Sequence, residues 1–173
     1  MLVVAAPPSL AAPGDVPLLL RPGARAAAPP TAAARWTWPL PDHPRVTRGF
    51  DPPATLYGPG HRGVDLAGYA GEPVLAAGAG VVGFAGLVAG RGVVTVRHPG
   101  GLKTTYEPVR PVVRTGQAVT VGARVGRLDD GHPDCPVPAC LHWGLLGGDA
   151  YLDPLLLLGR VRLRLLPLGT GPT

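Results

Sequence analysis

Apolar and polar residues alternate in short bursts through the middle of this chain, and nearly every burst ends in glycine or proline. Gly92-Val93-Val94-Thr95-Val96-Arg97-His98 runs with period two and stops at Pro99-Gly100-Gly101; Leu102-Lys103-Thr104-Thr105-Tyr106 then resumes the pattern. Two such runs around a glycine-rich turn predict a hairpin. Arg45–Phe50, Pro73–Ala77, Gly80–Ala85, Ala123–Leu128 and Leu141–Leu145 read as further strands, the first at an edge and the last in the core. In Val64-Asp65-Leu66-Ala67 the alternation sets Asp65 on one side and Val64 with Leu66 on the other. Nothing before residue 150 shows a 3.6-residue period; Asp153–Leu158 predicts one closing helical turn. The fold class expected is all-β: an antiparallel sandwich or flattened barrel.

Two stretches break the rhythm. Residues 51–60 hold three prolines and two glycines, and 130–139 is irregular throughout. Each loop leads into a histidine-bearing segment. Residues 1–40 lack periodicity and read as a leader of uncertain start followed by a Pro/Ala-rich linker. Residues 41–158 form the β domain and 159–173 a tail. No run of eighteen apolar residues occurs, so no transmembrane helix is expected.

Composition refines this picture in two places. Glycine (26) and proline (23) exceed a quarter of the 173 residues, a proportion that flags disorder when evenly spread. Here proline crowds the start and glycine marks turns. The formal charge is +5, but fifteen of the sixteen basic residues are arginine, scattered without a stripe, and Lys103 is the single lysine. Asparagine and isoleucine are absent, a skew resembling coding bias, so nucleic-acid binding is not expected.

Gly60-His61-Arg62-Gly63-Val64-Asp65 places an imidazole and a carboxylate four residues apart between glycines. Both are good ligands for zinc, and His142, in Leu141-His142-Trp143-Gly144, is the candidate third. Three N/O ligands leave a fourth position open, as in a catalytic site. Cys135 and Cys140, with no second pair, make a poor structural zinc site. They form a local disulfide if the protein is exported and two free thiols if it is not. Closing so short a loop would contribute roughly 2 kcal/mol. His98, before the Pro-Gly-Gly turn, reads as structural, and His43 carries no signal.

The order of features resembles the LytM/lysostaphin-type peptidases, family M23, over about residues 44–158. The matching features are His-x-x-x-Asp, then Gly71 to Val82, the Gly92–Gly101 hairpin, Thr105-Tyr106, Gly116 to Gly122, and Leu141-His142-Trp143-Gly144. The resemblance implies a LytM-type β fold and a zinc endopeptidase that cuts peptidoglycan peptides outside the membrane, with His61, Asp65 and His142 holding the Zn2+. It also implies two assisting histidines, and both are missing: Pro108 and Cys140 stand at their positions. A weak enzyme is one expectation. A non-catalytic peptidoglycan-binding or amidase-activating module, with a cell-wall hydrolase as partner, is the other. Glu107 and His132 are the candidate substitutes. Glu107 neighbours the lost histidine and is expected to face away from the site, whereas the loop leaves His132 unconstrained; an exposed acid and a loop histidine are the plain alternatives. A lipoyl-type carrier shares the glycine-turn rhythm, but Lys103 lies in a strand pattern and not at a tight turn.

Overall fold

The structure, a computed structural model, describes residues 35–55 and 58–159. Most of the expected leader and linker, and the tail from residue 160, lie outside the described residues. The described chain is almost entirely antiparallel β, as expected for the LytM-type fold, and the sheets do not close into a barrel.

Among the described residues, eleven strands form two sheets. The larger sheet runs β1 (Val46–Arg48), β2 (Gly63–Gly68), β10 (Ala139–Gly147), β6 (Leu102–Glu107), β5 (Arg91–Arg97), β4 (Gly80–Val88), β8 (Ala118–Val119), with β11 (Ala150–Leu152) beside the far half of β10. The smaller runs β3 (Pro73–Leu75), β9 (Arg124–Leu128), β7 (Val109–Pro111). Strand alternation gives the larger sheet two different faces. One carries Val64, Leu66, Val94, Val96, Tyr106, Leu141 and Trp143, all fully buried. These meet Val74, Val109, Val125 and Leu128 of the smaller sheet in one apolar cluster. Each such side chain contributes about 1.5–3 kcal/mol on burial. The opposite face carries Asp65, His142, Gly144, Lys103, Thr105 and Glu107.

Three glycines fix this arrangement. Gly100 and Gly101 have φ of 85° and 81°, left-handed conformations that glycine adopts freely and that close the three-residue Pro99–Gly101 turn between β5 and β6. A Cβ on Gly63 would lie 2.5 Å from the Trp143 carbonyl oxygen and 2.7 Å from His142 Nε2, so β2 and β10 approach closely only because position 63 is bare. After β11, Asp153 caps a 3-10 turn over Pro154–Leu158, its Oδ1 accepting the Leu155 N–H at 2.9 Å.

The core face holds one polar relay. His98 Nδ1 lies 2.9 Å from the Ala79 carbonyl, which only accepts, so Nδ1 carries the hydrogen and Nε2 accepts. Thr104 then donates to His98 Nε2 at 2.7 Å, Tyr106 donates to Thr104 at 2.8 Å, and Tyr106 accepts the Ala77 N–H at 2.9 Å. Every member is satisfied in a single direction. Burial lowers the His98 pKa, against the bond to Ala79. Burial also pushes the Tyr106 phenol up to about 12.

Candidate metal centre

Two loops and two central strands build the site. His61 closes the proline-rich loop through a backbone pair with Asp51, the two N–H···O contacts measuring 2.6 and 3.0 Å. Asp65 on β2 stands directly opposite His142 on β10. Both His61 and Asp65 are buried.

Three side-chain atoms converge. His61 Nε2 is 3.0 Å from Asp65 Oδ1 and 3.0 Å from His142 Nδ1, and His142 Nδ1 is 2.9 Å from the same Oδ1. The carbonyl of Gly49 receives His61 Nδ1 at 2.7 Å, which fixes the hydrogen on Nδ1 and leaves Nε2 as a bare lone pair. His61 Nε2 and Asp65 Oδ1 are therefore both acceptors at hydrogen-bond distance. Only a proton on His142 Nδ1 or a cation among the three can hold them together. Two imidazole nitrogens and one carboxylate oxygen form a donor set that suits zinc. The edges of about 3 Å fall slightly below the roughly 3.3–3.5 Å that neighbours keep on a tetrahedral ion with bonds of about 2.0–2.2 Å. These side chains, the three that the sequence singled out, are arranged so that they could hold a metal ion.

A fourth group reaches the site from the loop that leads into β10. His132 Nε2 lies 3.2 Å from Asp65 Oδ1, with its side chain 9% exposed, and its ring stacks on His142 at 6.2 Å between centroids. His132 Nδ1 donates to the Pro133 carbonyl at 2.7 Å, the same anchoring that His61 receives from Gly49. The hydrogen bond to Asp65 raises the His132 pKa against burial. Burial alone would raise the Asp65 carboxyl, but hydrogen bonds from His132 and His142 hold it well below the usual carboxylate range.

Cys140 does not face the site as a thiol. It is fully buried and bonded to Cys135, with Cα atoms 5.7 Å apart, so its sulfur serves as neither base nor ligand. The bridge ties the loop that carries His132 to the strand that carries His142.

The expectation for Glu107 is corrected. Register pairs Glu107 with His142, so its side chain shares the site's face; Pro108, at the lost histidine's position, is the one buried away from it. The physical reason is the alternation of β6, which commits Thr104 and Tyr106 to the core and thereby turns Lys103, Thr105 and Glu107 outward. Arg91 Nη1 stands 3.7 Å from Glu107 Oε1. Sequence reasoning also missed the groove beyond His142, a cavity of about 220 Å³ whose lining includes Arg62, Lys103, Thr105, Gly144 and Tyr151. The same alternation along β6, counted out from the Pro99-Gly100-Gly101 turn, could have revealed its Lys103 and Thr105.

Comparison with known proteins agrees with this geometry. The model of peptidase family M23 matches residues 59–154. The uncharacterized protein Rv2891 of Mycobacterium tuberculosis is 52% identical over 141 residues, covering 79% of this chain and 57% of that protein. A Mycobacterium bovis protein, Mb2915, gives the same figures, so the chain spans little more than half the length of these relatives. Among solved structures, a zinc-containing peptidase from Vibrio cholerae superposes with TM-score 0.54 at 25% identity, covering 69% of this chain and 39% of that one. The catalytic domain of lysostaphin from Staphylococcus simulans shares the fold, with TM-score 0.57 at 21% identity over 67% of this chain and 92% of its own.

Proposed function

This chain belongs to peptidase family M23, and on that premise we propose that it is a zinc metalloendopeptidase that hydrolyses peptide bonds in bacterial peptidoglycan, outside the cytoplasmic membrane. The observation that carries the reading is the convergence of His61 Nε2, Asp65 Oδ1 and His142 Nδ1 at edges of 2.9–3.0 Å, with His61 locked as an acceptor by Gly49. Zinc held by these three residues would supply an acidified water and polarise the scissile carbonyl.

The chain's own residues carry the rest. Asp65 Oδ1 is the common partner of three imidazoles and orients them together. His132 stands in for the two missing histidines. In the neutral ring its Nδ1–H stays anchored on Pro133, and its Nε2, turned from Asp65 to the water, would take the proton from the attacking water and return it to the leaving amine. The Cys135–Cys140 bridge holds that loop against β10. A disulfide in this role also suits an oxidising compartment. Among the described residues, no helix is long and apolar enough to cross a membrane.

One observation favours a second reading. Pro108 and the bridged Cys140 remove both assisting positions, which suits a non-catalytic peptidoglycan-binding or amidase-activating module with a cell-wall hydrolase as partner. Metal analysis and wall digestion decide between them. Zinc-loaded protein should release new amino termini from purified cell walls, and His132→Ala should cut that rate about 10²–10⁴-fold while retaining the zinc. No release at any pH between about 6 and 9 from metal-loaded protein overturns the enzyme reading, and the activator reading then stands.

A further inference from the structure

On the outer face of the β5–β6 hairpin, register sets Arg97 opposite Lys103 and Thr95 opposite Thr105. β5 commits Val94 and Val96 to the core, and β6 commits Thr104 and Tyr106, so these four side chains share the opposite face. Two adjacent cross-strand pairs make a square. Opposite Cβ atoms in such a pair stand about 4.5–5.5 Å apart, and the next pair on the same face lies about 7 Å along the strands.

The square is charged and unpartnered. Like charges directly opposite one another weaken a sheet. Among the described residues, no carboxylate lies within ion-pair distance of Arg97 or Lys103, and neither cation nor either threonine hydroxyl has a hydrogen-bond partner. Glu107, the next outward residue of β6, faces Arg91 instead. The flanking strands leave the square uncovered. At the bulge of β4, a Cβ on Gly83 would lie 3.0 Å from Arg97 Nε and 3.0 Å from Thr95 Oγ1, so a guanidinium and a hydroxyl converge where any side chain would stand. On the β10 flank, Gly144 is the residue opposite Thr105, and a Cβ there would be 3.6 Å from the Thr105 Cβ.

We propose that this square is a binding site for a phosphate group, distinct from the metal centre. Lys103 lies four residues from Glu107, the partner of His142, a distance of about 13 Å along β6. A phosphate monoester carries about −1.5 to −2 charges at neutral pH and three strong acceptor oxygens. Two cations and two hydroxyls answer both the charge and the oxygens. Arg97 supplies a planar fork and Lys103 a point charge. A carboxylate brings one charge and two oxygens in one plane, and fills half of the site. The bare positions 83 and 144 leave room for the rest of a molecule that bears the phosphate. The site is independent of whether the chain cuts peptides.

Lys103 is the chain's single lysine, so reductive methylation with ¹³C-formaldehyde labels it and the α-amine alone and keeps the lysine's charge. The labelled zinc-loaded chain is titrated at constant ionic strength and pH 7.5 or so with inorganic phosphate, glucose 6-phosphate and acetate in turn. Phosphate should move the Lys103 signal with half-saturation at about 1 mM and leave the α-amine signal in place. Acetate should bind about tenfold more weakly. Arg97→Gln and Thr105→Val, both on the outward face, should each weaken phosphate about tenfold without lowering the melting temperature. Below about pH 6 phosphate loses its second charge, and the affinity should fall. Glucose 6-phosphate binding as well as phosphate assigns the site to phosphorylated sugars; a response to inorganic phosphate alone assigns it to the free ion. An unmoved Lys103 signal, an equal response to acetate, or an Arg97→Gln protein that binds as before would overturn the proposal. Capture of phosphate by the zinc alone falls under the first of these, because it leaves Lys103 unmoved.

Discussion

Strand β6 divides two histidine clusters that use the same side-chain types for opposite ends. On its core face, His98, Thr104 and Tyr106 form a relay in which each donor meets one acceptor, from the Ala77 N–H to the Ala79 carbonyl. On its other face, His61, Asp65, His142 and His132 crowd one carboxylate oxygen with three imidazole nitrogens. The relay is complete by itself and needs nothing added. The second cluster has backbone carbonyls on the outer nitrogens of His61 and His132, and turns the inner nitrogens of all three imidazoles toward that one oxygen. A buried polar group left without a partner costs about 1–3 kcal/mol. The difference teaches that a histidine's role follows from where its second nitrogen is anchored and what its first nitrogen faces, more than from its burial.

The largest test of this contrast is metal. With free zinc at about a hundred times its dissociation constant, the site should add about 2.7 kcal/mol to the folding stability of the native chain. His142→Ala should abolish both the bound zinc and that increment. His98→Ala should do the reverse: zinc content unchanged, metal-free stability lower by about 2–4 kcal/mol through a cavity and a broken relay. Melts with and without zinc, beside elemental analysis, read all four values. Zinc loss in the His98 variant, or zinc retention in the His142 variant, breaks the comparison.

A smaller effect sharpens it. Tyr106→Phe removes one oxygen from a fully buried ring and orphans the Ala77 N–H and the Thr104 acceptor. The expected cost is about 2 kcal/mol in denaturant unfolding, with zinc affinity unchanged. A cost below about 0.5 kcal/mol would mean that water or a rearranged Thr104 replaces the phenol, and the relay would not be the closed system described.

How much of this could be read from the chain depended on whether a feature is local. The Val94/Val96 alternation, the Pro99-Gly100-Gly101 turn and the turn after Asp153 are properties of a few adjacent residues, and the all-β class followed from them. His61 and Asp65 share one motif, and His142 came from the resemblance. What escaped were the consequences of register. Glu107 was expected to face away because the reading centred on residue 108, yet β6 alternation sets Glu107 beside His142. The placement of His132 depends on a ten-residue loop whose path no pattern announces; the Cys135–Cys140 bridge, expected for an exported chain, shortens that path. The groove beyond His142 needed three strands in register, and β11 gave no sequence signal.

The smallest expected effect concerns pH and follows from the direction of the relay. His98 is held neutral: burial lowers its pKa from the ordinary value near 6.5. The unfolded chain then binds a proton more readily than the folded one as pH falls below about 6.5, so His98's contribution to stability is present above that value and is lost on acidification toward its folded pKa. One proton sets the limit at about 1.4 kcal/mol per pH unit. His132, raised by its bond to Asp65, has the opposite sign, losing stability as pH rises through its folded pKa. The comparison is therefore made in an His132→Ala background, with His98 against His98→Gln. Glu72, raised by burial, and Asp65, held low, titrate alike in both proteins and cancel in the difference. The stability gap between the two should narrow steadily from pH 7 to about pH 5. A gap that stays constant over that range would show that His98 accepts its proton without penalty, and the one-way relay from Ala77 to Ala79 would have to be redrawn with Thr104 as its acceptor end.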